Sequence, residues 1–441
     1  MAGSTALLPI VTPEEMRAID ADAPEPVEVL IGRAGAALAR HALRMLGGTY
    51  GRRVVVVAGK GNNGNDGRDA AERLRGRGVR VVVVEPGATP LPPADLVIDA
   101  AYGTGFHGVY DAPDAGGAPV LACDVPSGSV VADETITFAA LKPALLFEPG
   151  RSAAGRVTIA DIGLDCSRAR AHLVEPADVA AWIPPKPVDS HKWRSAVWVV
   201  GGSHGMGGAP VLAATAAQRA GAGYVRLSSP GATDPLPGAP IEVVQTPLDE
   251  HGWDAELLDG GERFRALVVG PGLGKRGAAE VRRLVDESIV PLVVDGDGLR
   301  ALGTDCARFG HPSVILTPHD GEFEGLCGHP PGDDRIDATR RLADATNAVV
   351  LLKGPTTVVA RPGGDALVVA AGDARLATAG TGDVLSGTIA ALVARGVDPF
   401  HAAAGGAWLH GRAATHGPAQ GLVASDVAAN LPTALAELNH A

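Results

Sequence analysis

Four short stretches of this sequence combine residue types that can do chemistry. GKGNNGNDG (59–67) packs Asn62, Asn63, Gly64, Asn65 and Asp66 behind two glycines. DAAYGTGFHG (99–108) puts Asp99 ahead of a loop of Gly103, Thr104, Gly105, Phe106, His107 and Gly108, continuing to Val109, and DVPSG (124–128) supplies Asp124 and Ser127. Carboxylate, amide and hydroxyl oxygens in such density suit acid–base work or a hard cation. The first stretch also fits the dinucleotide pattern G-x-G-x-x-G through Gly59, Gly61 and Gly64, with Glu85 where a ribose-binding acid would stand. It carries more side-chain ligands than a pyrophosphate turn needs. The plain alternative is a turn shaped by Asn and Asp without any ligand; it is preferred for Asn65 and not for Asp66, Asp99 or Asp124.

The fourth stretch is LATAGTGDVLSGTIAALVARG (376–396). A turn of Gly380, Thr381 and Gly382 feeding a helix aims backbone N–H groups and the helix dipole at one point, which makes an anion site. Asp383 at the helical start would oppose a phosphate unless it takes a proton from an attacking hydroxyl, the role of a base in phosphoryl transfer. An N-cap is the other reading, and the segment alone leaves the two balanced.

The elements that must position these residues are short apolar runs, each closed by Gly, Asp or Pro and followed by an Ala-rich stretch, the pattern of buried parallel strands with crossover helices. Strands are expected at 52–58, 79–85, 95–100, 119–124, 135–138 and 156–161. Helices are expected over 13–46, broken near Pro24 and Pro26, and over 66–77. The same grammar restarts at AVWVVGG (196–202), with helices after Gly208, around 334–346 and from Asp383 to Arg395. The polar, Pro-bearing segment between the halves reads as a junction. The expectation is a Rossmann-like three-layer α/β/α domain over 1–170 and a second α/β domain over 171–441. In open parallel sheets ligands bind outside the carboxyl ends of the strands, where the first three stretches fall.

Composition bounds the rest. The 441 residues exceed one ordinary core. Hydrophobic content of 46% with 20% charged residues is globular, and a net charge of −12 argues against nucleic acid or an anionic membrane as principal partner. The N-terminus lacks a basic n-region and meets Pro9 and Pro13 early, so a cytoplasmic protein is expected. Cys123, Cys166, Cys306 and Cys327 have no paired spacing and read as structural. Basic residues are almost all Arg; Lys stands only at 60, 142, 186, 192, 275 and 353, and for those within the motifs, Lys60, Lys142, Lys192 and Lys353, the readings are a specific need for an ammonium or chance.

Together with ADETITFAALKPALL (132–146), the first three stretches resemble, in order and spacing, the NAD(P)H-hydrate epimerase family over residues 14–163. The resemblance implies that Asn62 to Asp66 and Gly103 to Val109 line the hydrated nucleotide, that Asn63, Asp99 and Ser127 ligate K+, and that Asp124 contacts the reacting ring. Epimerisation breaks and remakes a bond to oxygen, so it needs an acid–base group, for which Asp124 is the first choice. Lys142 would hold phosphates or stabilise that aspartate. Asn65 departs from the family's usual glycine; its Cβ narrows the turn, although Asn tolerates a left-handed backbone.

HKWRSAVWVVGGSHGMGGAP (191–210), VVGPGLG, VVDGDGL, ILTPHDGEF, LLKGPTTVV and the GTGD segment are similar to the ADP- or ATP-dependent NAD(P)H-hydrate dehydratase family, which is ribokinase-like, over 171–441. The resemblance implies that Ala209, Gly272, His319 and Asp383 contact the hydrated nucleotide. Lys353, Gly354, Pro355, Thr356 and Thr357, with Gly380, Thr381 and Gly382, would hold the adenine nucleotide, and Asp383 would be catalytic. Mg2+ is expected with ADP or ATP, Glu322 and Asp295 being candidate ligands only. Asp320 replaces the proline usual in HPGE and sets a negative charge beside His319. The two resemblances imply one bifunctional enzyme that epimerises NADHX and NADPHX and dehydrates the S form at the expense of ADP, giving AMP and phosphate. They also imply a homo-oligomer. The rival reading is a ribokinase-like vitamin or sugar kinase with a nucleotide-binding N-terminal domain.

Overall fold

In the computed structural model, which describes residues 7–106, 108–304, 309 and 313–440, the chain divides into two units, Leu8–Arg170 and Ala171 onward. The first begins with a short strand β1 (Leu8–Ile10), whose Ile10 bridges Leu141. Its sheet has strands β2 (Arg53–Ala58), β3 (Arg80–Val84), β4 (Leu96–Ala100), β5 (Val120–Cys123), β6 (Glu134–Phe138) and β7 (Arg156–Ala160), in the order β3-β2-β4-β5-β6-β7. All pairings are parallel. The uninterrupted apolar runs follow from burial on both faces: β4 is buried at every position and β2 at all but its first. Because the chain runs from β2 out to β3 and returns to β4, the order reverses between β2 and β4, where a crevice opens at the carboxyl ends.

The helices of this unit differ from expectation at the start of the one expected over 66–77 and in a short unexpected helix, Gly150–Ala153. The two prolines do divide the first helical region, into Pro13–Ala21 and Val27–Leu46, with Pro26 as the second helix's N-cap. The next helix starts at Asn62, four residues earlier than expected, and runs to Gly76. Asn65 therefore sits in a right-handed helix, and the left-handed tolerance invoked for it is not called on. The close approach that matters is at Gly64, where a Cβ would run into the carbonyl of Gly59.

The second unit carries β8 (Ala171–Leu173), β9 (Ala196–Val200), β10 (Tyr224–Ser228), β11 (Val244–Gln245), β12 (Ala266–Val269), β13 (Leu292–Val294), β14 (Val314–Leu316), β15 (Val349–Leu352), β16 (Thr357–Ala360) and β17 (Ala366–Val369). Within the sheet they run β8-β17-β16-β15-β14-β13-β12-β9-β10-β11. The stretch from β15 to β11 is parallel, while β16 pairs antiparallel on both sides. Helix Thr381–Ala394, buried from Val384 to its end, packs on Gly208–Arg219. Gly387 permits that contact, since a Cβ there would strike the Ala213 carbonyl. Ala-rich helices of low side-chain bulk let the layers close on the valines of the sheet. Among the described residues no helix is long and apolar enough to cross a membrane.

Candidate active sites

The crevice of the first unit is a cavity of about 570 Å³ lined by the residues that follow β2, β4 and β5. Asn62, Asn63, Asp66, Gly103, Thr104, Gly105, Phe106 and Asp124 all face it. Gly64 and Asn65 do not line it; Gly64 is the packing position under Gly59, and Asn65 Oδ1 accepts from Arg68. Gly108 and the exposed Val109 also lie off the cavity, and His107 is outside the described residues. Aromatic rings pack along the loop: Phe106 lies on Tyr102 with ring centroids 4.0 Å apart, and Tyr110 meets Tyr102 edge-on.

Asp124 has a left-handed backbone, φ 67°, which turns its carboxyl back over the sheet end. Its Oδ1 accepts from Thr137 Oγ1 at 2.9 Å and from the Lys142 ammonium at 2.7 Å. Lys142 is buried, and its other contacts are Thr137 Oγ1 at 2.9 Å and the Phe138 carbonyl at 2.7 Å. Its three N–H donors are thereby used inside the protein, so it serves the aspartate and not a ligand phosphate.

Asp66 is also buried, but among the described residues its carboxyl meets no hydrogen-bond donor and no cation. Burial first, then the charges of Asp124, Asp69 and Asp20, push it up to about 8. Asp20, from helix Pro13–Ala21, lines the same cavity and is itself raised, chiefly by burial. Sequence reading missed it. A signal existed: a carboxylate in a helix's last turn opposes the dipole, which hints at a role other than stability.

Asn63, Asp99 and Ser127 converge on the backbone of Tyr102 and Ala101. Asn63 Nδ2 donates to the Tyr102 carbonyl at 2.9 Å, Ser127 Oγ accepts from Tyr102 N at 3.0 Å, and Asp99 accepts from Ala101 N and from Ser127 N at 3.2 and 2.8 Å. Asn63 Oδ1 is buried and has no hydrogen-bond partner among the described residues. An orphaned amide oxygen beside a buried carboxylate and a hydroxyl is the donor set a monovalent cation takes.

In the second unit Asp295, Thr317 and Lys353 follow directly on β13, β14 and β15. Lys353 Nζ lies 3.0 Å from Asp295 Oδ1 and 3.3 Å from Glu322 Oε2, and Thr317 Oγ1 donates to the same Asp295 oxygen at 2.8 Å. The two carboxylates hold Lys353 charged, outweighing its burial. The GTGD turn reaches this cluster: a Cβ on Gly382 would sit 3.4 Å from Lys353 Nζ, and Gly380 caps the helix with φ 89°. Thr381 Oγ1 anchors the turn on the Leu376 and Thr378 carbonyls, both at 2.8 Å.

Asp383 has no side-chain partner among the described residues. Burial, then Asp295, push its carboxyl up to about 7, with Lys353 opposing. It is therefore not a side-chain N-cap. Lys353 faces carboxylates, whereas Gly354 and Pro355 beyond it are exposed and Thr356 is buried.

His319 caps helix Asp320–Cys327, its Nδ1 accepting from Gly321 N and Glu322 N at 3.0 and 3.2 Å, which leaves Nε2 at the exposed edge. The charge expected beside it from Asp320 is neutralised, because Arg335 grips that carboxylate through two nitrogens at 2.8 and 3.1 Å. Arg335 also donates to the Lys353 carbonyl at 2.8 Å. Ala209 and Gly272 adjoin each other, 3.2 Å separating the Ala209 Cβ from where a Gly272 Cβ would stand. The adjacent cleft, about 930 Å³, is lined by Gly202–Gly205, Pro230–Pro237 and Gly274–Gly277. Among the described residues no group of three or more His, Cys, Asp or Glu side chains is arranged to hold a metal ion. Asp295 and Glu322 already share an ammonium, so they do not form a divalent site of their own.

A family model described as NAD(P)H-hydrate dehydratase matches residues 197–436, and one described as YjeF-related protein N-terminus matches 27–89. The bifunctional NAD(P)H-hydrate repair enzyme of Mycobacterium tuberculosis is 39% identical, covering 86% of this chain and 87% of its own. The chain belongs to the bifunctional NAD(P)H-hydrate repair enzymes. The enzyme of that name from Escherichia coli is 30% identical over 82% of this chain and 80% of its own. A crystal structure of the ADP/ATP-dependent NAD(P)H-hydrate dehydratase of Bacillus subtilis, co-crystallized with ATP and Mg2+, has 30% identity and a TM-score of 0.52, covering 60% of this chain and 97% of that one. A ribokinase-like protein of Enterococcus faecalis, 22% identical with a TM-score of 0.54 over 61% of this chain and 96% of that one, shares the fold. This repair enzyme thus joins an epimerase unit to a ribokinase-like dehydratase unit.

Proposed function

We propose that the first unit interconverts the R and S forms of NADHX and NADPHX at the cavity of Asp66 and Asp124, and that the second dehydrates the S form at Asp383 with ADP as phosphoryl donor. The observation that carries the reading is the state of Asp383: a half-buried carboxyl without a side-chain partner among the described residues, raised to about 7, at the mouth of an N–H-rich turn. Such a group is poised to take a proton near neutral pH. Asp383 removes the proton from the ring hydroxyl, whose oxygen attacks the terminal phosphorus, and AMP leaves. The N–H groups of Gly380, Thr381 and Gly382 stabilise the transferring phosphoryl group. Phosphate is a better leaving group than hydroxide; the ring nitrogen lone pair expels it to form C=N, and loss of the proton on the adjacent ring carbon, taken up by the departing phosphate or solvent, forms the ring C=C and restores NADH or NADPH.

Lys353 keeps Asp295 and Glu322 from repelling the nucleotide, while Gly354 to Thr357 line its approach. Ala209, Gly272 and His319 face the hydrated nucleotide. Mg2+ would ride on the nucleotide phosphates and offset their charge. In the first unit Asn63, Asp99 and Ser127 would hold K+, whose chemistry is to fix anionic groups of the substrate and stiffen the Tyr102 loop. We further propose a homo-oligomer in the cytoplasm that binds no nucleic acid.

The test is to incubate the purified protein with mixed NADHX epimers and ADP or ATP while following reduced-nucleotide absorbance and free phosphate. Full recovery of both epimers with phosphate release is expected. Recovery of one epimer only refutes the bifunctional reading, and a stable phosphorylated product in place of free phosphate refutes the dehydratase.

A further inference from the structure

An epimerase that works by loss and return of a hydroxyl needs two groups, one to protonate the leaving oxygen and one to deprotonate the water that re-adds on the opposite face. One proton between two carboxyls satisfies that need in either direction. The first unit has two carboxyls of opposite character in one cavity. Asp124 is served at Oδ1 by the Lys142 ammonium and the Thr137 hydroxyl, and its Oδ2 is without a partner among the described residues. Asp66 comes from the first turn of helix Asn62–Gly76 and is 8% exposed, with no counter-ion. The charged groups that face it are carboxylates from three elements: Asp69 on its own helix, Asp20 on helix Pro13–Ala21 and Asp124 after β5. The nearby ammonium is spent on Asp124, and Lys60 stands exposed on the lining. A buried carboxyl so surrounded keeps its proton.

We infer that Asp66 and Asp124 work as an acid–base pair, Asp66 giving a proton to the departing ring hydroxyl while Asp124 takes one from the incoming water. This rests on the epimerase reading of the first unit. In the forward step the Asp66 proton moves to the hydroxyl oxygen, the C–O bond breaks with its electron pair leaving as water, and the ring nitrogen lone pair forms C=N. Water then attacks the other face, a C–O bond forms, the C=N pair returns to nitrogen, and the released proton passes to Asp124. Exchange through solvent returns that proton to Asp66, so nothing is consumed. The reverse epimerisation starts from the tautomer with Asp124 protonated.

The experiment uses the full chain without nucleotide, so that no dehydration competes, and follows R and S forms of NADHX by chromatography with uncatalysed interconversion subtracted. Asp66→Asn should lower kcat at least about 100-fold with KM nearly unchanged. Wild-type interconversion should fall above pH 8, where Asp66 loses its proton, and the residual rate of the variant should lack that fall. Dehydration of the S form on adding nucleotide reports an intact second unit. An Asp66→Asn rate within threefold of wild type, or a wild-type profile flat to pH 9.5, overturns the pair; the second measurement needs no variant to fold. If Asp124→Asn alone is inactive, only the pairing fails, whereas full activity in both variants removes the epimerase site itself.

Discussion

Replacing Asp383 by Asn should stabilise the second unit while disabling it, and the stabilisation should depend on pH. The Asp383 carboxyl rises from 3.8 to about 7 on folding, through burial and then Asp295. At ~1.4 kcal/mol per pH unit, a shift of this size sets a ceiling of roughly 4 kcal/mol on the penalty for ionising it in place. Solvent reaches this half-buried side chain, and the N-terminal dipole of its own helix favours negative charge by ~0.3–1 kcal/mol, so the net penalty should be about 1–2 kcal/mol.

The sign follows from linkage. The unfolded carboxyl ionises above 3.8 and the folded one only above about 7, so the native state holds the extra proton between them. Stability is therefore lost progressively as pH climbs through that window, and the loss is complete above it. Asn carries no such penalty. Because Asp383 has no side-chain hydrogen bond to forfeit, the variant should melt roughly 3–6 °C higher at pH 8, with a smaller gap at pH 5. Differential scanning calorimetry at both pH values reads this directly. Turnover of the S epimer should fall by about 10²–10⁴, and wild-type kcat should drop about tenfold per pH unit below 7 as the base is protonated. A variant no more stable than wild type at pH 8, or a gap that ignores pH, refutes the reading of Asp383 as an uncompensated, half-buried base.

Two further outcomes separate the sites. Gly64→Ala would drive its Cβ into the Gly59 carbonyl, so it should abolish R–S interconversion and lower the first unit's stability by about 2–4 kcal/mol; chromatography and calorimetry check both. Exchanging K+ for tetramethylammonium should slow interconversion about tenfold, reversibly, because the proposed ion would no longer satisfy Asn63 Oδ1, which has no partner among the described residues; an unchanged rate would remove the cation from that position.

The strands were legible because parallel strands buried on both faces must be apolar at nearly every position, as β2 and β4 are. The helix from Asn62 was misjudged because Gly and Asn are poor helix formers. Tertiary contact overrides that propensity: Gly64 has to touch Gly59, and Gly67 has to pass Ala100 and Val56. The fate of Asp320 was not legible either, since its partner Arg335 is set beside it only by the packing of a separate helix. Asp20 escaped for the same reason, as nothing local announces that its helix faces the β2–β5 crevice. What motifs report well is which residues meet at strand ends. Which of them are paired, and hence which hold a proton, depends on non-local neighbours.

That distinction recurs in both units. In each, a lysine neutralises carboxylates, Lys142 pairing with Asp124 and Lys353 with both Asp295 and Glu322. A second carboxyl nearby has no side-chain partner among the described residues and is raised toward neutrality, Asp66 in the first unit and Asp383 in the second. A compact ammonium suits this task better than a guanidinium. It can direct its N–H groups at convergent oxygens in a small space, as Lys142 does toward Asp124, Thr137 and Phe138, where a planar fork would demand room and a bidentate partner. In a chain with only six lysines among its basic residues, two of them stand at these places, beside the carboxyls proposed to move protons near pH 7.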